Sequence, residues 1–77
     1  MRFSELDTVA LARDVPEHSL KAGDVGTIVF VHGEHTAFEV EFVTRGGTTI
    51  GVLTLEPSDL RPIGPNEIHH VRPVSRP

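Results

Sequence analysis

The stretch Lys21-Ala-Gly-Asp-Val-Gly-Thr-Ile-Val-Phe-Val31 constrains this chain more than any other. A Gly-x-x-Gly turn running directly into β-branched residues predicts a tight, glycine-dependent approach to a curled strand at the centre of a small sheet. Alternation over Gly26 to His32 places Ile28 and Phe30 on the core face and Val29 and Val31 on the opposite one. A strand apolar on both faces is central or covered.

The flanking sequence supplies neighbours for that strand. Asp7-Thr-Val-Ala-Leu-Ala-Arg13 alternates as a half-buried first strand, with Val9 and Leu11 inward. Pro16 removes a backbone donor and makes Asp14 to Gly23 a loop, with Leu20 tucked onto the core. After a polar turn at Gly33 to Thr36, Ala37-Phe-Glu-Val-Glu-Phe-Val43 alternates strictly: Phe38, Val40 and Phe42 face inward, Glu39 and Glu41 outward. Gly46-Gly47 suits a tight hairpin, and Gly51 interrupts the fourth strand, Thr48 to Leu55, where a bulge or bend is expected. Glu56 to Leu60 reads as the single 3₁₀ turn of the chain, and Arg61-Pro-Ile63 as a short fifth strand.

These elements predict an all-β, five-stranded SH3-like barrel over residues 1–63, followed by a Pro-, Arg- and His-containing tail over 64–77. An OB-like barrel is the alternative, although it usually carries a helix between strands three and four. Seventy-seven residues bury only a small core, and without cysteine neither a disulfide nor a thiolate zinc site can supplement it. The tail is therefore expected to lie against something, through Ile68, Val71 and Val74: its own barrel, an exposed sheet edge or a neighbouring copy, the last giving a homodimer.

Within this frame, Glu5-Leu-Asp-Thr-Val-Ala-Leu11, Asp14-Val-Pro-Glu-His18, Leu20-Lys-Ala-Gly-Asp-Val-Gly-Thr-Ile-Val29, Phe38-Glu-Val-Glu-Phe42 and Leu60-Arg-Pro62 resemble the small bacterial family known as domain of unknown function 4926. The resemblance spans about residues 5–63 and implies a compact SH3-like barrel with no assigned activity; the tail lies outside it. Gly23-Asp-Val-Gly-Thr-Ile-Val29 is also similar to the KOW motif of ribosomal and transcription-elongation proteins, which often contact RNA. The basic residues that accompany that motif are missing, since Lys21 and Arg45 are the only cations between residues 14 and 60.

No catalytic pattern stands out. Glu39 and Glu41 share a strand face, but a regular strand offers them no cleft, so they read as a solvated face rather than an acid/base pair. His32-Gly-Glu-His35 invites a metal reading, yet its spacing matches no zinc motif; His69 and His70, adjacent in an extended tail, point apart. No serine sits in a nucleophile elbow, and Gly23-x-x-Gly26 is not followed by the helix a phosphate loop needs. The expectation is a protein without enzymatic activity, cofactor or metal.

Charge narrows the partner. The formal net charge is −4, and the acidic body contrasts with residues 61–77, which carry Arg61, Arg72 and Arg76 against Glu67 alone. Phosphate backbones are repelled by such a body, so RNA binding would rest on those three arginines. The preferred expectation is a protein-binding module, accessory or antitoxin-like, using Asp14, Glu17, His18 and Lys21 of the first loop together with Val29 and Val31. No apolar run reaches the roughly 20 residues of a membrane helix, and no apolar signal region opens the sequence. A cytoplasmic location is expected.

Overall fold

The computed structural model describes residues 3–74 and contains five strands: β1 (Thr8–Leu11), β2 (Val25–His32), β3 (Ala37–Val43), β4 (Thr49–Leu55) and β5 (Leu60–Pro62). All pair antiparallel in one sheet of order β4-β3-β2-β1-β5, with no α-helix among the described residues. This is the all-β, SH3-like architecture expected from the alternation. The end strands β4 and β5 share no ladder, so the sheet curls over its core without hydrogen-bonded closure.

Hydrophobic burial holds it together. Val9, Leu11, Ile28, Phe38 and Val40 are shielded almost completely, joined by Phe3, Val15, Leu20, Phe42, Leu53, Leu55 and Leu60. Each fully buried side chain of this size contributes about 1.5–3 kcal/mol. The two glycines of the opening stretch serve different ends. Gly23 has φ +92°, open to glycine at little cost, whereas a Cβ on Gly26 would lie 2.7 Å from Phe42 Cε1 and 2.8 Å from Val40 Cγ1.

Several expectations need correction. The register between β2 and β3 shifts between Ile28 and Phe30, because Val29 is inserted as a bulge. Ile28 enters the core as expected, but one extra residue reverses the alternation after it. Phe30 is 50% exposed and Val29 40% exposed, while Val31 packs against the core. Phe30 is therefore no core residue and Val31 no part of an outer ridge. β1 is buried on both faces from Val9 to Leu11, and its end is tied in by Leu11 N–H to Asp24 O (2.9 Å) and Ala12 N–H to Asp59 O (2.8 Å).

A second 3₁₀ turn, Pro16–His18, joins the expected one at Pro57–Asp59. Proline presets its first φ, and the Ser19 N–H closes on Pro16 O at 3.1 Å. The expected irregularity near Gly51 is a register shift that leaves Ile50 as the extra residue. Among the described residues the tail forms no strand on a sheet edge: Ile68 and Val71 are 92% and 90% exposed, Val74 is half-buried, and hydrogen bonds tie Glu67 and Arg72 to the barrel.

Candidate functional site

The first loop divides two concave surfaces. A Val15–Leu20 bridge pins its stem, and both side chains enter the core. On one side, Arg13, Glu17 and His18 face Val52, Leu53, Thr54 and Leu55 across a groove of about 280 Å³ along β4. On the other, Asp14, Pro16, Ser19 and Lys21 meet Arg72 and Pro73 around a cavity of about 400 Å³. The loop residues singled out from sequence thus part company: Glu17 and His18 border the β4 edge, Asp14 and Lys21 the tail. Asp14 also braces the loop, since its Oδ1 accepts the Ala22 N–H at 2.8 Å.

The outer face of β2–β4 continues from the groove. Phe30, Glu39 and Thr54 lie in one cross-strand row, and Glu41 opposes Val52 in the next. Glu39 Oε2 accepts the Thr54 hydroxyl at 2.7 Å and lies 2.6 Å from His32 Nε2, whose ring meets Phe30 edge-on with centroids 4.9 Å apart. The Thr54 hydrogen bond, then the His32 contact, holds the Glu39 carboxyl below its ordinary range. Val43 and Val52 are half-exposed on the same sheet. Glu41 makes no ion pair among the described residues. The result is an apolar surface interrupted by carboxylates.

Leu6 enlarges it. Its N–H donates to Ile28 O at 2.7 Å, beside the bulge, and its side chain is 77% exposed. The backbone there is left-handed, with φ 70°, a conformation unfavourable for leucine. Sequence pattern could not single out Leu6, because it precedes the strand alternation. Nor could it single out Phe30, because alternation assumes an unbroken register.

The histidines diverge. His32 turns to Glu39, whereas His35, in left-handed conformation, places its ring 6.3 Å from that of Phe38. No group of three or more His, Cys, Asp or Glu side chains converges on a metal position among the described residues. His69 and His70 are exposed in the tail.

Two of the three arginines proposed for phosphate contact, Arg61 and Arg72, already face carboxylates. Arg61 Nη1 donates to Glu67 Oε1 at 2.8 Å; the Gly64 N–H first, and then Arg61, keep the Glu67 carboxyl low. Arg72 reaches across the fold to Asp24, 48 residues away in sequence. Arg76 lies outside the described residues. Arg13 forms a third pair, Nε to Asp59 Oδ1 at 2.7 Å, and this bond leads the depression of the Asp59 carboxyl. Among the described residues no helix is long and apolar enough to cross a membrane.

Comparison with known proteins assigns a family and no activity. The family model described as "Domain of unknown function (DUF4926)" matches residues 5–62, which ends where β5 ends and excludes the tail. No curated protein and no solved structure matches the chain.

Proposed function

The chain belongs to the DUF4926 family, a domain of unknown function, and from that premise we propose that it is a non-enzymatic protein-binding module. Its partner is a basic, apolar-bearing segment of another protein, taken on the outer face of β2–β4 and along the groove between β4 and the first loop. An accessory or antitoxin-like role, in which a small acidic protein masks a basic partner, is the concrete form of this reading. A reducing bacterial cytoplasm is the setting proposed with it; the cysteine-free sequence is compatible with that setting.

The exposure of Phe30 carries the proposal. A bulge turns this aromatic out of a core it would otherwise fill, and the left-handed Leu6 stands beside it. Both features have a folding cost that a surface without a task does not require. Between these apolar groups and Val52 stand Glu39 and Glu41, so the complementary ligand is cationic as well as apolar. β4 has a ladder partner on one side only, which leaves an edge able to accept an extended segment. RNA binding finds less support, because two of the three arginines it would use are neutralised by Glu67 and Asp24.

The test is capture from extract of the source organism, with nuclease present, comparing the wild-type chain with Leu6→Gly/Phe30→Ser. A polypeptide retained by the first and lost from the second supports the proposal, and equal retention overturns it. Retention of RNA that collapses as salt rises from about 50 to 200 mM would transfer the assignment to nucleic acid.

A further inference from the structure

A separate site lies where the tail meets the first loop. Both oxygens of Asp24 receive the Arg72 guanidinium: Nε donates to Oδ1 at 2.9 Å, Nη2 to Oδ2, and Nη2 also to the Ser19 carbonyl at 3.0 Å. This two-point arrangement is the strong form of guanidinium–carboxylate recognition. Both side chains are mostly shielded from solvent, and Asp14 adds a second negative charge that acts on Arg72.

The acceptors are held by the barrel. Asp24 Oδ2 takes the Lys21 N–H at 2.8 Å, the Asp24 N–H returns to Lys21 O at 2.9 Å, and the Asp24 carbonyl is tied to Leu11 of β1. Ser19 ends the Pro16–His18 turn with φ 59° and ψ 30°, which directs its carbonyl toward the same point. Both acceptors are thus positioned by contacts that do not involve the tail.

The tail, by contrast, has little else to hold it. Among the described residues after Pro62 none is buried, and between the Glu67–Gly64 turn and Arg72 the backbone makes no hydrogen bond. Pro73 disfavours helix at Arg72, so the guanidinium is presented from an extended Arg-Pro unit. The same dipeptide occurs as Arg61-Pro62 and Arg76-Pro77.

We infer that Asp24 and the Ser19 carbonyl form a recognition site for an extended Arg-Pro segment of a partner protein, with Arg72-Pro73 of the chain's own tail as its resident, displaceable occupant. A tether this short holds its ligand at an effective concentration in the millimolar range, so the tail screens the site from weak competitors and yields to a segment with further contacts. The site is distinct from the outer face of β2–β4, and either can fail without the other.

The full-length chain tests this, as wild type, Arg72→Ala and Arg72→Ala/Asp24→Asn, titrated with the peptide acetyl-His-Val-Arg-Pro-Val-amide and followed by amide shifts of Ser19, Lys21 and Asp24. Arg72→Ala is expected to bind at least about tenfold more tightly than wild type, since the competing tail is gone. Loss of binding on adding Asp24→Asn supports the site. So does loss when glutamine replaces arginine in the peptide, a readout independent of how Asp24→Asn folds. Binding to Arg72→Ala that is no tighter than to wild type, or indifferent to the peptide's arginine, overturns it. A concentration-dependent wild-type dimer abolished by Arg72→Ala would assign the site to tail exchange between copies and overturn the partner assignment. Phe30→Ser is expected to leave the titration unchanged, which separates this result from the fate of the proposed function.

Discussion

The barrel and the tail are ordered against each other by opposite means. From Thr8 to Pro62 the chain is held by one apolar core to which every strand contributes. From Gly64 to Val74 the hold on the barrel rests on two guanidinium contacts, Arg61 to Glu67 and Arg72 to Asp24, while Ile68 and Val71 remain in solvent. Distributed burial gives a structure that unfolds as one unit, whereas a few polar bonds give one that can detach while the barrel stays folded. The first suits a scaffold and the second a contact meant to be exchanged.

Substitutions can break this contrast or sharpen it. Ile28→Ala, at the most buried point of β2, is expected to cost about 2–5 kcal/mol in denaturant unfolding, because a cavity opens between strands that cannot collapse. Gly26→Ala should cost about 1–3 kcal/mol, since its Cβ would meet Phe42 and Val40 at under 3.0 Å. A smaller loss at either position would mean that the core is looser than its burial indicates. Leu6→Gly moves the other way: relief of the left-handed backbone should stabilise the fold by about 1 kcal/mol while removing part of the proposed binding face. Stability gained together with partner capture lost is the signature of a residue kept for recognition.

The tail is expected to answer differently. Arg72→Ala should change unfolding stability by less than about 1 kcal/mol, yet move the backbone resonances of residues 68–74 toward random-coil values. A stability loss comparable to that of Gly26→Ala would erase the distinction between scaffold and strap. Acid provides the mildest test. Burial pushes the Asp24 carboxyl up, and the hydrogen bonds from Arg72 and the Lys21 N–H outweigh it, leaving the folded pKa below the ordinary value. Tail docking is thus fully present above the unfolded pKa of about 3.9 and is lost as pH falls through the lower folded one. Residue 68–71 shifts that follow this titration in wild type, and are absent both in Arg72→Ala and in Asp24→Asn, would identify the Asp24–Arg72 pair as the one responsible.

Much of the barrel was legible in the sequence because period-2 alternation encodes which face is buried. Ala37 to Val43 folds as its pattern reads, and so do the hairpin at Gly46-Gly47 and the helical turn after Glu56. The reading fails at Val29, where an inserted residue reverses the parity of a run apolar at every position and therefore without a marked face. For the same reason Val31 packs, partly buried, against the core, and Phe30 takes its place at the surface. The surface sites were less legible. Glu17 and His18 border a groove with β4 as their loop position allowed, but the Arg72–Asp24 and Arg13–Asp59 pairs span 48 and 46 residues. Such pairs carry no local signal, because exposed charges follow no period and their partners are chosen by the closed fold.

The bulge at Val29 also separates two kinds of information within a single strand. In an unbroken strand, neighbouring positions alternate between core and display, so no two adjacent residues are free to vary together. Here positions 29 and 30 both reach solvent, while Ile28 before them and Val31 after them keep the barrel filled. Sequences could therefore diverge at this adjacent pair, and with it in the partner they recognise, while passing the same core from one protein to the next.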